Sequence, residues 1–323
     1  VLKKMHEYII NADKISNYHI VGLPRIGKSS LLKAFKTMIQ ENHYSHDLVV
    51  LYISLDECDN SNDMWRIIGK GIRKELKKQF HSSDKYTNFI DELDFEDVDE
   101  NNIDYEYVCS VARCMKASGF LGLILIDEFD NFSTIATKGT VGQVRTLFSG
   151  SEYGLRAVVA SRRMVERIEK EVEGALNSNV SILASTFVNG YKLKAFNEDD
   201  MKDYWVSIEE KIGVAVSNRY KEETDYYVGT HPCLLNLLNG SFWAEKETKD
   251  YICDDDSNLK LSEELINKLH DSFNWAVWRD MEKWQLLRSL ILSTWGPDDE
   301  IPNSELSELE RYGIIDKSQF LSE

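Results

Sequence analysis

Gly22-Leu23-Pro24-Arg25-Ile26-Gly27-Lys28-Ser29 is a loop bounded by two glycines and closed by a lysine and a hydroxyl. That spelling is GxxxxGK[ST], the Walker A layout. Backbone N–H groups in such a loop wrap around phosphate oxygens, and a Cβ at Gly22 or Gly27 would obstruct the close approach. Lys28 would reach the β- and γ-phosphates, and the Ser29 hydroxyl would ligate Mg²⁺. A second reactive group follows the apolar run Leu123-Ile124-Leu125-Ile126, which ends in Asp127-Glu128. This is the hhhhDE pattern of a Walker B strand: Asp127 would hold Mg²⁺, directly or through water, and Glu128 would polarise an attacking water as general base. A third candidate is Ser161-Arg162-Arg163, behind the apolar stretch Leu155–Ser161. Each arginine there fits two descriptions, a cation that touches the terminal phosphate or a basic loop after a strand.

These groups need strands and helices to hold them. His19-Ile20-Val21 is a short apolar run before the loop, and Leu31, Leu32, Phe35, Met38 and Ile39 recur at helical spacing behind it. Strand, loop and helix in that order aim the helix's positive end at an anion. Leu48–Leu55 reads as a buried strand, followed by the polar loop Asp56-Glu57-Cys58-Asp59 and a helix bearing Met64, Ile67, Ile68, Ile72, Leu76 and Phe80. Asp84–Glu106 holds ten acidic residues against the single Lys85 and reads as a solvated insertion. Tyr107–Ala117 looks helical, and Tyr191–Phe196 offers a fifth strand. Alternating strands and helices imply an α/β fold on a parallel sheet, and Asp127-Glu128 then sits at the C-terminal sheet edge, where such folds bind ligands.

At Asn197-Glu198-Asp199-Asp200 the pattern changes to helices: an Asn cap and a first turn of acids precede Met201, Tyr204, Trp205, Ile208 and Ile212. Gly229-Thr230-His231-Pro232 leads into another helix, with Pro232 in its first turn. Trp275, Trp278, Trp284, Leu287, Leu290, Ile291 and Leu292 form a further apolar face, and Ser304–Ile315 has the outline of a winged helix cut within its wing. The expected division is an α/β core over 1–196, a helical lid over 197–272 and a truncated winged-helix unit over 273–323.

With 323 residues the chain is long enough for two or three packed units, and 42% hydrophobic with 29% charged residues is ordinary for a globular protein. No apolar run is long enough to span a membrane and no signal peptide is visible, so a cytoplasmic location is expected. Cys58, Cys109, Cys114, Cys233 and Cys253 lack CxxC spacing and read as reduced thiols. A net charge of −17 argues against a large nucleic-acid interface. The first residue is Val and the tail ends abruptly, which reads as a piece of a longer protein.

Gly22–Leu32 resembles the GPRRxGKTSLL loop of the archaeal-type branch of the signal-transduction ATPases (STAND NTPases), Ser30 included. Ile124-Leu125-Ile126-Asp127-Glu128-Phe129-Asp130 looks like their hhhDEhD segment, and Ala160-Ser161-Arg162-Arg163 is similar to their TSR element, in which the arginine addresses the nucleotide. Gly229-Thr230-His231-Pro232-Cys233-Leu234-Leu235 resembles their GGHPYLLQ lid motif, with Thr230 and Cys233 as departures. The resemblance implies a P-loop NTPase core with a helical lid and a winged helix, in which His231 and Pro232 pack beside ATP or ADP. It also implies a slow, Mg²⁺-dependent ATPase in which the nucleotide controls opening, homo-oligomer assembly and an attached effector outside this chain, in bacteria often in anti-phage defence. Origin-recognition initiators and other AAA-like ATPases share this core, so a DNA-binding ATPase is the alternative. A module that holds nucleotide only as a structural ligand is a third reading. From Trp275 to Glu323 there are ten acids against five bases, a poor surface for a phosphate backbone, so nucleic acid is not expected as a partner.

Overall fold

Strands that are apolar at every position need cover on both faces, and the chain supplies it with helices between successive strands. A computed structural model describes residues 1–11, 14–41, 47–80, 89, 102–177, 179–180 and 183–243. By contact the chain divides into two units, one of Val1–Gly22 with Lys28–Lys192 and one of Leu23–Gly27 with the chain from Leu193 onward.

The first unit is built on five strands, β1 (Tyr18–Val21), β2 (Leu48–Ser54), β3 (Leu121–Asp127), β4 (Leu155–Ser161) and β5 (Gly190–Lys192). They pair in the order β2-β3-β4-β1-β5, every pairing parallel. Thus β4 lies between β1, which leads into the glycine loop, and β3, which ends in the acid pair. Register aligns the strand ends: Val21 pairs with Ser161, Val159 with Ile126, and Asp127 with Ser54. Gly122 permits the tight β3–β4 fit, since a Cβ there would come within 2.2 Å of Leu155 Cδ2.

The longer helices described in this unit are α1 (Leu2–Ile9), α2 (Lys28–Glu41), α3 (Ser61–Phe80), α4 (Tyr105–Ala117), α5 (Lys138–Ser149) and α6 (Val165–Leu176). Leu32, Phe35 and Ile39 of α2 are buried, and so are Met64, Trp65, Ile68, Ile72 and Leu76 of α3, as the helical spacing requires. One core cluster joins these α3 residues to β2, β3, β4, α4, α5 and α6. The parallel α/β sheet and its covering helices bear out the fold class expected from the sequence.

Two details differ. The fifth strand is shorter than Tyr191–Phe196: it stops at Lys192, because its partner β1 ends at Val21 and offers nothing further to pair with. The acidic stretch is also not wholly solvated. Phe89 and Ile103 are buried in the core, with the Phe89 ring edge-on to Phe120 at 6.2 Å. Most of Asp84–Glu106 otherwise lies outside the described residues.

In the second unit, α7 (Glu198–Ile212) starts on a full capping box: Asn197 Oδ1 accepts the N–H groups of Asp199 and Asp200, both at 2.9 Å, and Asp200 accepts the Asn197 N–H at 3.1 Å. Gly213, at φ 75°, ends it. Next come α8 (Asn218–Val228) and α9 (Pro232–Trp243), and Trp205, Ile208, Val216, Tyr220, Leu234, Leu235 and Leu238 form their shared core. Buried Asn239 sits between two phenols, accepting from Tyr220 and donating to Tyr204, each at 2.8 Å. The stretch expected as a winged helix, 273–323, lies outside the described residues.

Candidate functional site

The glycine loop leaves the sheet at Gly22, whose N–H donates to the Ser161 carbonyl at 3.1 Å, while the Ile26 N–H closes a turn on Leu23. Arg25 (φ 59°) and Gly27 (φ 102°) both take left-handed backbone. Only glycine reaches φ 102° without strain. A Cβ built on Gly27 meets nothing within 4 Å, so backbone angle and not crowding by protein atoms demands glycine there. Leu23 and Ile26 are buried, Pro24 and Ser29 partly so, and Arg25 and Ser30 are exposed.

Lys28 opens α2 and is only 5% exposed, with its ammonium donating to the Gly22 carbonyl at 2.9 Å. Burial pushes its pKa below the ordinary lysine value, while Glu128, Asp130 and Asp127 pull it back up. Glu128 shows the converse: burial raises its carboxyl above the usual range, against the pull of Lys28. Each charge is costly where it sits and is moderated by the other. Asp127, the last residue of β3, is buried; its Oδ2 accepts from the Tyr52 phenol at 2.7 Å and its Oδ1 from the Glu128 N–H at 3.0 Å. Burial, and then that hydrogen bond, keep the Tyr52 phenol protonated above its ordinary range. Glu128 itself takes left-handed backbone (φ 49°, ψ 44°), which turns the chain sharply off the strand.

Behind β4 the two arginines have different surroundings. Arg163 is held on both sides, its Nε donating to Asp130 Oδ1 at 2.8 Å and its Nη1 to both oxygens of Glu171 at 2.6 Å. Arg162 Nε lies 3.5 Å from Asp130 Oδ2, and its charge also reaches Lys28 and Glu128, lowering the pKa of each. Lys28, Asp127, Glu128 and Arg162 are therefore brought together at the C-terminal edge of the sheet. His231 and Pro232 lie in the helical unit, with Pro232 opening α9 and the His231 carbonyl accepting the Leu235 N–H at 3.0 Å. Burial lowers the His231 pKa to about 4.

Two polar groups of this edge escaped sequence reasoning. Asp130 was legible as the last letter of hhhDEhD, but nothing in the sequence gave it a partner. Tyr52 carried no signal beyond its place in a strand, since its contact with Asp127 depends on the β2–β3 register. Among the described residues, no group of three or more His, Cys, Asp or Glu side chains is arranged to hold a metal on its own, and no helix is long and apolar enough to cross a membrane.

No protein-family model matches the chain, and no curated protein matches its sequence. Solved structures do resemble it. The Walker-type ATPase PABY2304 of Pyrococcus abyssi superposes with a TM-score of 0.53 at 15% identity, over 96% of this chain and 88% of that one. The Aeropyrum pernix ORC2 protein, solved as ADPNP–ADP complexes, gives 0.53 at 12% identity, over 99% of this chain and 81% of that one. The Aeropyrum pernix ORC1 protein, solved in complex with DNA, gives 0.50 at 14% identity, over 99% and 85%. With the parallel strand order and the glycine loop behind β1, these likenesses give the chain an α/β P-loop NTPase fold.

Proposed function

We propose that this chain binds ATP and ADP with Mg²⁺, hydrolyses ATP slowly, and acts as the nucleotide-controlled switch of a STAND-type signalling or defence protein. The observation that carries the nucleotide reading is Lys28, buried at the start of α2 behind the left-handed Gly27 and within electrostatic reach of Glu128, Asp130 and Asp127. An ammonium and carboxylates set side by side suit a polyphosphate that arrives with a divalent cation, the phosphates going to the lysine and the cation to the acids.

The residues fit the groups they are assigned. Open space beside Gly27 leaves room for phosphate oxygens against Gly22–Ser30. Each oxygen of the Asp127 carboxylate carries one hydrogen bond and keeps a further lone pair, so Asp127 and Ser29 would hold Mg²⁺. When bound, Mg²⁺ would offset the negative charge of the phosphates. Lys28 binds the same phosphates, and Arg162 faces the terminal one. Glu128, whose burial favours taking up a proton, orients and deprotonates the attacking water. His231 and Pro232 belong to the lid and carry the difference between nucleotide states. Such a difference is required, because a ligand bound equally by two states shifts neither. The division into core (1–196), lid (197–272) and winged helix (273–323), homo-oligomer assembly and an attached effector complete the proposal on the strength of the motif resemblance.

Two variants test it. Lys28→Ala loses charge-assisted contacts to phosphate and should weaken ATP and ADP binding by about 10- to 100-fold. Glu128→Gln should bind ATP as the parent does while turnover falls by about 100-fold or more. Equal nucleotide affinity in parent and Lys28→Ala, measured by titration calorimetry, would overturn the loop assignment. Turnover in neither parent nor Glu128→Gln would leave a structural nucleotide module. A DNA-binding ATPase is the second reading, favoured by the likeness to the ORC1 protein that was solved with DNA.

A further inference from the structure

Two arginines in succession follow β4, and the fold treats them differently. Asp130, 1% exposed, accepts the backbone N–H of Arg162 on Oδ2 at 2.5 Å and the backbone N–H of Arg163 on Oδ1 at 3.2 Å. The same carboxylate takes Arg163 Nε and lies in ion-pair distance of Arg162 Nε. A second pin acts from below: Ser161 Oγ donates to the Arg163 carbonyl at 2.5 Å, and His19 Nε2 sits 2.8 Å from that oxygen. Because the serine proton goes to the carbonyl, the histidine is the donor in that pair. Both amides and one carbonyl of a strand-tip turn are thus fixed by buried side chains, the amides by Asp130 after β3 and the carbonyl by Ser161 at the end of β4, which His19 of β1 contacts in turn. Such backbone groups rarely stay free when buried, but here a charged group takes two of them at once.

We propose that Asp130 is a positioning residue that assigns the two arginines, holding Arg163 in the fold and directing Arg162 to the terminal phosphate of a bound triphosphate. This rests on the nucleotide reading above. β4 lies between β1 and β3, so a residue just past Ser161 stands between the loop at Gly22 and the acids at Asp127-Glu128. Arg163 is committed to Asp130 and to both oxygens of Glu171, whereas Arg162 meets Asp130 only at ion-pair distance and its charge acts on Lys28 and Glu128. The position of its guanidinium depends on the turn, and the turn depends on one carboxylate accepting on both oxygens. Asparagine has a single acceptor oxygen and can serve only one of the two amides, whichever way it is turned.

The test measures the ratio of Kd for ADP to Kd for a non-hydrolysable ATP analogue, with Mg²⁺, on the full chain. Arg162→Ala should shift that ratio toward ADP by about 10-fold, the cost of one charge-assisted contact. Asp130→Asn should shift it the same way by about 5- to 10-fold while ADP affinity stays within about 2-fold, and should add nothing in the Arg162→Ala background. Arg163→Ala should lower the melting temperature and leave the ratio unchanged. Ser161→Ala removes the gentler pin, and should give a smaller shift of the same sign if Asp130→Asn fails to fold. Equal loss of both nucleotides in Asp130→Asn, or a shift as large without Arg162 as with it, would make Asp130 a stability residue only and overturn the proposal. A parent protein that binds neither nucleotide would sink the nucleotide reading itself, which is a different result from a parent that discriminates and an Asp130→Asn that still does.

Discussion

His231 shows how one side chain records its surroundings. Both ring nitrogens are buried and make no hydrogen bond among the described residues, so the imidazole is held neutral, with a pKa lowered to about 4. Between that value and the ordinary 6.5 the unfolded chain binds the proton and the folded chain does not. Stability from this group is therefore present above the ordinary value and lost as pH falls through the window toward 4. The full loss between pH 7 and pH 4 is about 3 kcal/mol by linkage. Denaturant unfolding of His231→Gln should show an acid limb shallower than the parent's by about that amount, and parallel limbs would show that His231 is not the proton acceptor. At this scale residue type and spacing single out Lys28, Asp127 and Glu128 as candidates, while Arg162 and His231 are singled out through the motif resemblance. Neither Asp130 nor Tyr52 is given a partner, because a carboxylate's or phenol's partner lies across a register that one sequence does not state.

Elements were easier to read than their ends. The runs that became β2, β3 and β4 are apolar almost throughout and could hardly be anything but strands covered on both sides. The capping box at Asn197 placed the start of α7 to the residue, since its two reciprocal hydrogen bonds are spelled locally. The short β5 was overextended, because a strand's length follows its partner and not its own composition. The acidic stretch before α4 misled for a related reason: ten carboxylates concealed Phe89, which packs against Phe120 with no exposed surface. That ring ties the stretch to the core. Phe89→Ala should destabilise the chain by about 3–4 kcal/mol, the usual cost of emptying a phenylalanine site, in equilibrium denaturation. A change below about 1 kcal/mol would show that the stretch is as loosely held as its charge suggested.

For the whole molecule, the two functional readings differ in what they expect of DNA, and charge bears on that difference. With Lys and Arg numbering 38 against 55 Asp and Glu, the chain repels a phosphate backbone at long range. Fluorescence anisotropy with duplex DNA should therefore detect no binding tighter than micromolar at about 150 mM salt, and little change on dilution to about 50 mM. Strong binding that weakens steeply with salt would promote the DNA-dependent reading above the signalling one. The strand order has one more consequence. Inserting β4 between β1 and β3 sets the strand ends at Val21 and Asp127 two inter-strand steps apart, about 10 Å. On the nucleotide reading proposed above, a ligand shared by Lys28 and the acids would cross the tip of β4, so the turn behind Ser161 is the part of the fold that such a ligand would meet midway.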